Sequence, residues 1–255
     1  MGSSSFSSSS RATHGPEDMA PSERSTSAWE RYAWIAGILF VVALVADVVV
    51  AIGIPVNQHD SAAKIANALH DHRDQQLVIT CLSVIYAAMF LIYMGKLYDL
   101  LRGHTDRSRF LDSLVLAGGL LFVALHAVSD IGITGMLGAK LASFGAVHDQ
   151  GMSYMLYLMT FAPDSVGDVF GSLFAVAAGK LVIDSGVLPR WLGWISILVG
   201  ALFFLQGFGL GGVIGTFGLV LDLIGFVLLL IFVLESSALL LRREGALRHA
   251  AEGIR

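Results

Sequence analysis

Residues 125–132, LHAVSDIG, place His126 and Asp130 four apart in an apolar run that holds no lysine or arginine. At that spacing an imidazole and a carboxyl share one face of a helix. They can form a structural pair, pass a proton between them, or offer two ligands to a metal. More acids sit in equally apolar surroundings: Asp47, Asp164, Asp168 and Asp222. An ionised aspartate at the middle of a membrane span costs roughly 2.5–3.5 kcal/mol, less toward the interface. What these groups do depends on whether the elements carrying them bring them to one place.

Those elements are set by composition. Of 255 residues 55% are hydrophobic and 14% charged, and the mean hydropathy is +0.73. Soluble domains carry about 25% charge, so the chain reads as an integral membrane protein. A span needs about 20 apolar residues to cross about 30 Å of hydrocarbon. Six segments qualify, at about 32–54, 77–95, 113–137, 163–183, 191–207 and 214–234. They predict an all-α, polytopic transmembrane bundle over residues 29–241. Residues 151–161 are apolar too, but proline fits best in the first turn of a helix. Pro163 is therefore expected to open the fourth span, with 152–161 forming a re-entrant or interfacial helix.

The flanks differ in character. Residues 1–28 are serine-rich and nearly free of aliphatic side chains, which predicts a disordered tail. No apolar segment comes directly after a short basic start there, so a secretory signal is not expected. Residues 242–255 form a short C-terminal tail. The stretch 60–72, DSAAKIANALHDH, has apolar residues at helical spacing behind an Asp60/Ser61 cap, predicting a short surface helix or a lid. Gly171, Ala175 and Gly179 form a small-residue stripe suited to helix–helix contact. The lone Cys81 has no partner for a disulfide and reads as a small core side chain. Of the 16 lysines and arginines, only Lys64, Arg73 and Lys140 fall on the side away from the termini. By the positive-inside rule both termini are expected in the cytoplasm of a plasma-membrane protein. Trp29, Trp34, Trp191 and Trp194 fall near the same face, as an interfacial belt would.

Depth gives the acids a common setting. Asp47, Asp130 and Asp222 each lie about eight residues, or roughly 12 Å, below the outer end of their spans. Asp168 lies slightly higher, Asp164 one turn above it, and His126 one turn below Asp130. Ser83 and Gln206 add neutral polar groups nearer the mouth. Without a cation at that depth, the acids must hold protons, share a bound cation, or line a water-filled cavity. Each describes an outward-facing acidic pocket formed by Asp47, His126, Asp130, Asp164, Asp168 and Asp222. The plainer alternative leaves Asp164 favouring a helix N-terminus and His126 with Asp130 as a satisfied structural pair.

An acidic intramembrane pocket points first to cation- or proton-linked transport or sensing. Its partners would be the lipid bilayer and a proton or small cationic solute, with no cofactor beyond a bound cation. No inverted repeat or paired broken helices mark a full transporter. A second reading is an intramembrane metal-dependent hydrolase of a lipid-like substrate, with His126, Asp130 and Asp168 as ligands. It is short of histidines, because His59, His70, His72 and His148 all lie on connections. A third is a structural or regulatory subunit. Haem ligation lacks a second histidine within a span. Nucleic-acid binding has no support, the C-terminal RREGALRHAAEGIR being a short run suited to lipid headgroups.

Residues 179–204, GKLVIDSGVLPRWLGWISILVGALFF, carry a more specific pattern in Ser185-Gly186, Leu188-Pro189-Arg190, Leu192-Gly193 and Gly200. This turn resembles the signature region of a family of uncharacterised six-helix bacterial membrane proteins, classed as a domain of unknown function. The resemblance covers about a tenth of the chain. It implies the six-span fold and no established activity. Physically, Gly186 ends one helix, Pro189 starts the next, and Arg190 and Trp191 sit at the headgroups.

Overall fold

The computed structural model describes residues 28–56, 60–102, 109–134, 150–208 and 216–252, with some side chains in these stretches, including that of Asp222, outside the description. The expected N-terminal tail and the end of the C-terminal tail fall outside the described residues. The described chain is helical, with no strand among the described residues. Its helices are α1 (Ala28–Ile52), α2 (Ala62–Asp71), α3 (Arg73–Arg102), α4 (Arg109–Ala127), α5 (Gln150–Ser185), α6 (Arg190–Phe208) and α7 (Thr216–Glu252). A π-helical segment, Val128–Thr134, continues α4. All but α2 are long and apolar enough to cross a membrane.

These six helices form a closed ring in the order α1, α3, α4, α5, α6, α7 and back to α1. Neighbours run antiparallel: late α1 meets early α3 at Asp47 and Ser83, and α4 meets α5 first at Gly118 with Phe174 and later at His126 with Asp168. The outer surface carries exposed Val42, Val49, Ile52, Val84, Leu205 and Leu223, as contact with hydrocarbon requires. The inside is filled by aromatic rings, with Phe90 buried and its ring centroid 5.8 Å from Phe122 and 5.6 Å from Phe174. Where water is absent on both sides, close packing and hydrogen bonds hold helices together. At Gly179 an added Cβ would meet the Gly193 carbonyl oxygen at 2.5 Å, and at Gly118 it would meet the Phe174 nitrogen at 2.8 Å. Ser196 Oγ donates to the Ala175 carbonyl at 2.7 Å. The small-residue stripe thus seats α6 directly on α5.

The turn between α5 and α6 has the geometry its residues require. Gly186 adopts φ +64°, which costs glycine little, and its N–H bonds the Val182 carbonyl at 3.1 Å. Pro189 immediately precedes α6 and accepts the Leu192 N–H at 3.0 Å. An arginine of α7, Arg243, donates to the Val187 carbonyl at 2.5 Å, tying the turn to the next helix.

Three local expectations are corrected. First, α5 runs unbroken from Gln150 through Pro163, so the proline starts no helix and 152–161 is an N-terminal extension of the same rod. Proline removes the N–H that would bond the Met159 carbonyl four residues back; at the next residue, Ser129 of the π segment donates to the Thr160 carbonyl at 3.0 Å and pins the helix beside the proline. Support from neighbouring helices is a usual way for membrane proteins to tolerate such a proline. The extension has its own packing, since Tyr154 and Tyr157 cover Ile65 and Leu69 of α2. Second, Trp34 is 1% exposed and packs edge-on to Tyr93 with centroids 6.2 Å apart. It belongs to the core, whereas Trp191 and Trp194 are exposed as a belt requires. Third, Cys81 is exposed on the outside of α3 and is no core residue.

Candidate functional site

At the end of the ring where α1, α4 and α6 finish and α3, α5 and α7 begin lies a cavity of about 650 Å³. Asp47, His126, Asp130, Asp164 and Asp168 all line it, joined by Gln206. The remaining candidate, Asp222, lies on α7, and its side chain is outside the described residues. Among the described residues, no lysine or arginine lines the cavity. The rest of the wall is mostly apolar, with aliphatic side chains such as Leu44, Val123 and Leu230 and five phenylalanines that include Phe40, Phe90, Phe122 and Phe226.

Each acid reaches the cavity from a different element or turn and meets a different partner. Asp47, on the last turns of α1, is nearly buried and accepts from Ser83 Oγ of α3 at 3.4 Å. Ser83 also donates to the Ile79 carbonyl at 2.9 Å, so its hydroxyl is shared between its own helix and the acid. Asp130 accepts the Tyr86 hydroxyl of α3 in a short hydrogen bond. Tyr86 is buried with its ring edge-on to Phe40, an arrangement that leaves the hydroxyl to find its partner inside the bundle. Asp164 accepts from Ser129 Oγ at 3.0 Å. Asp168, 4% exposed, lies with Oδ1 3.6 Å from His126 Nε2.

The His126 and Asp130 pairing suggested by their spacing is therefore replaced by two separate contacts. The π-helical segment begins at Val128, between the two residues. An inserted residue in a helix rotates the next turn about the axis, and such bulges recur at functional sites. Here Asp130 meets Tyr86 on α3, while His126, still on α4, meets Asp168 on α5.

His126 is fixed on all sides. Its Nδ1 lies 2.9 Å from the Phe122 carbonyl oxygen, which can only accept, so Nδ1 carries the hydrogen. The ring packs at a tilt against Phe122, 4.4 Å between centroids, and meets Phe226 edge-on at 6.2 Å. Nε2 is then the nitrogen placed to exchange a proton with Asp168. A single proton between the two gives either imidazolium with carboxylate or neutral imidazole with carboxylic acid.

Among the described residues, no three histidine, cysteine, aspartate or glutamate side chains stand close enough to hold a metal ion. Asp130, Asp168 and His126 line one room without converging on a point. Tyr86 and Ser129 are site residues that the acids did not reveal. A tyrosine in mid-span signals a buried hydroxyl in need of a partner. Ser129 is marked only by its place beside Asp130, and the π turn that aims it toward Asp164 has no signature in residue types.

The fold and cavity define a class: a membrane-embedded, six-helix protein with an acidic and aromatic chamber inside one end of its ring. The chain belongs to the family described as a domain of unknown function, DUF4386, whose profile matches residues 35–238. It matches no curated protein and no solved structure.

Proposed function

We propose that the chamber is the ion-handling site of a plasma-membrane protein that couples to a proton or a small cation, in transport or in sensing. The observation that carries this reading is the common cavity. Asp47, Asp130, Asp164 and Asp168 share one room with His126, and among the described residues no lysine or arginine lines it. Several carboxyls at close quarters cannot all ionise in a low-dielectric site without a compensating cation. Protons or a bound cation therefore belong to its stable states, and the charge of the room changes as they come and go.

The residues divide the work. Tyr86, Ser129 and Ser83 donate to individual carboxyls and fix their positions. His126 and Asp168 hold an exchangeable proton across the α4/α5 contact, the type of pair found in intramembrane proton relays. With both termini in the cytoplasm, as the lysine and arginine asymmetry supports, the chamber faces the outer half of the membrane.

Reconstituted vesicles test this. Under an imposed membrane potential, an entrapped pH dye should report proton movement, or a cation-selective current should appear. Asp168→Asn and Asp130→Asn should reduce it about tenfold or more, the scale of losing an ionisable group from a relay. For a sensor the corresponding readout is a cation- or pH-dependent change in protease or thiol accessibility, abolished by the same variants. Activity or accessibility unaltered in both variants would remove the chamber from function.

A further inference from the structure

We infer that the chamber is a binding site for an amphiphilic organic cation, an ammonium head with an apolar chain, which enters sideways from the hydrocarbon between α1 and α7. This rests on the cation reading above and names its ligand class.

Size is the first argument. About 650 Å³ falls within the roughly 300–1,000 Å³ of pockets for organic ligands and far exceeds the needs of a proton or a bare metal ion. The wall is the second. Phe40, Phe90, Phe122, Phe161 and Phe226 line the cavity beside the acids. Ring faces attract large, weakly hydrated cations, and aromatic cages are the usual receptors for quaternary ammonium. The placing of the acids is the third. Each stands on its own stretch of wall with its own partner, and among the described residues none joins two others at metal-holding distance. A diffuse negative lining suits a cation whose charge is spread over a large radius, where a hard ion would need converging oxygens.

The route is read from the α1/α7 seam. Val48 and Val49 of α1 and Leu223 and Val227 of α7 line the cavity and are also 46%, 64%, 62% and 46% exposed. Side chains can be on the inner wall and the outer surface together only where the wall is open. At the opposite end the same two helices close, α1 at Gly37 running against Ser237 of α7, and Tyr93 of α3 backs the contact by bonding the buried Ser236 of α7 at 2.7 Å. The seam is thus shut at the Pro189 end and open beside the acids, and its open rim is aliphatic. A chain lying in the bilayer can pass such a rim while its head reaches the carboxyls.

The test uses the full-length protein in lipid nanodiscs, with empty discs subtracted. Dodecyltrimethylammonium is the probe; tetramethylammonium has its head alone, and dodecyl sulfate its tail with the opposite charge. Saturable binding of the dodecyl cation is expected, at least about tenfold tighter than the headgroup alone, since each buried methylene adds to affinity. Dodecyl sulfate should not saturate. Asp130→Asn with Asp168→Asn should weaken the dodecyl cation about tenfold. Val48→Trp and, separately, Val227→Trp fill the rim from exposed positions. Each should slow association of the dodecyl cation about tenfold. Tetramethylammonium binding as tightly as its dodecyl analogue would overturn the amphiphile claim and leave the cation reading intact. Association rates unaltered in both tryptophan variants would overturn the lateral route. Equal binding of dodecyl sulfate, undiminished by the asparagine pair, would sink the cation reading as well.

Discussion

Single side chains in this chamber are held by contacts whose removal has a definite cost. Tyr86→Phe keeps the ring against Phe40 and strips Asp130 of its hydroxyl donor. A buried acceptor left without its donor costs about 1–3 kcal/mol, so the variant should unfold at lower temperature or denaturant; unchanged stability would mean water or another donor serves Asp130 equally well. His126 and Asp168 pose a sharper question, because replacing His126 alone also disturbs its packing on Phe122 and Phe226. A double-mutant cycle with His126→Ala and Asp168→Ala should give a coupling of about 0.5–2 kcal/mol, in the range of interhelical polar contacts in bilayers. Strictly additive losses would deny the contact any energy. The candidate acids were legible because aspartate in an apolar run is conspicuous. Ser83 was visible as a polar group at the same depth, but the pairings, and Tyr86 and Ser129 as partners, were not, since each hydrogen bond joins residues about 30 or more positions apart.

At the level of elements, the six apolar rods and the α5/α6 turn were readable from run length and from the glycine and proline at their ends. Pro163 was misleading. Its intrinsic preference for a first turn is outweighed by Tyr154 and Tyr157 packing on α2, with Ser129 tying the π segment to the Thr160 carbonyl beside the proline. Tertiary partners decide such a conflict, and they cannot be read locally. Opposite effects are expected for two substitutions. Pro163→Ala should melt no lower than the parent, because the helix already passes through that position. Ser129→Ala removes the donor to both Thr160 and Asp164 and should cost about 1–3 kcal/mol. If the proline variant lost as much stability as the serine variant, the ring itself would be shaping α5. The π segment was equally hidden from periodicity, although it is what parts His126 from Asp130.

For the whole molecule, the ring of six helices turns scattered acids into one electrostatic unit. The α1/α7 contact closes the ring at the Pro189 end and leaves the chamber's flank open beside the acids, and the chamber's orientation sets which solution it samples. A cysteine placed at residue 20 of the N-terminal tail should react with an impermeant thiol reagent only after the membrane is opened, if the basic side faces the cytoplasm. Labelling in intact cells would invert the chamber. The shared room itself is tested most directly by the carboxyl resonances of isotope-labelled aspartate in bilayers, tracked through a pH titration before and after Asp168→Asn. Groups lining one low-dielectric cavity titrate as a coupled set. The signals of Asp47, Asp130 and Asp164 should therefore all change their titration when Asp168 is replaced. Curves for those three that superimpose on the parent's would contradict a common ionisable chamber.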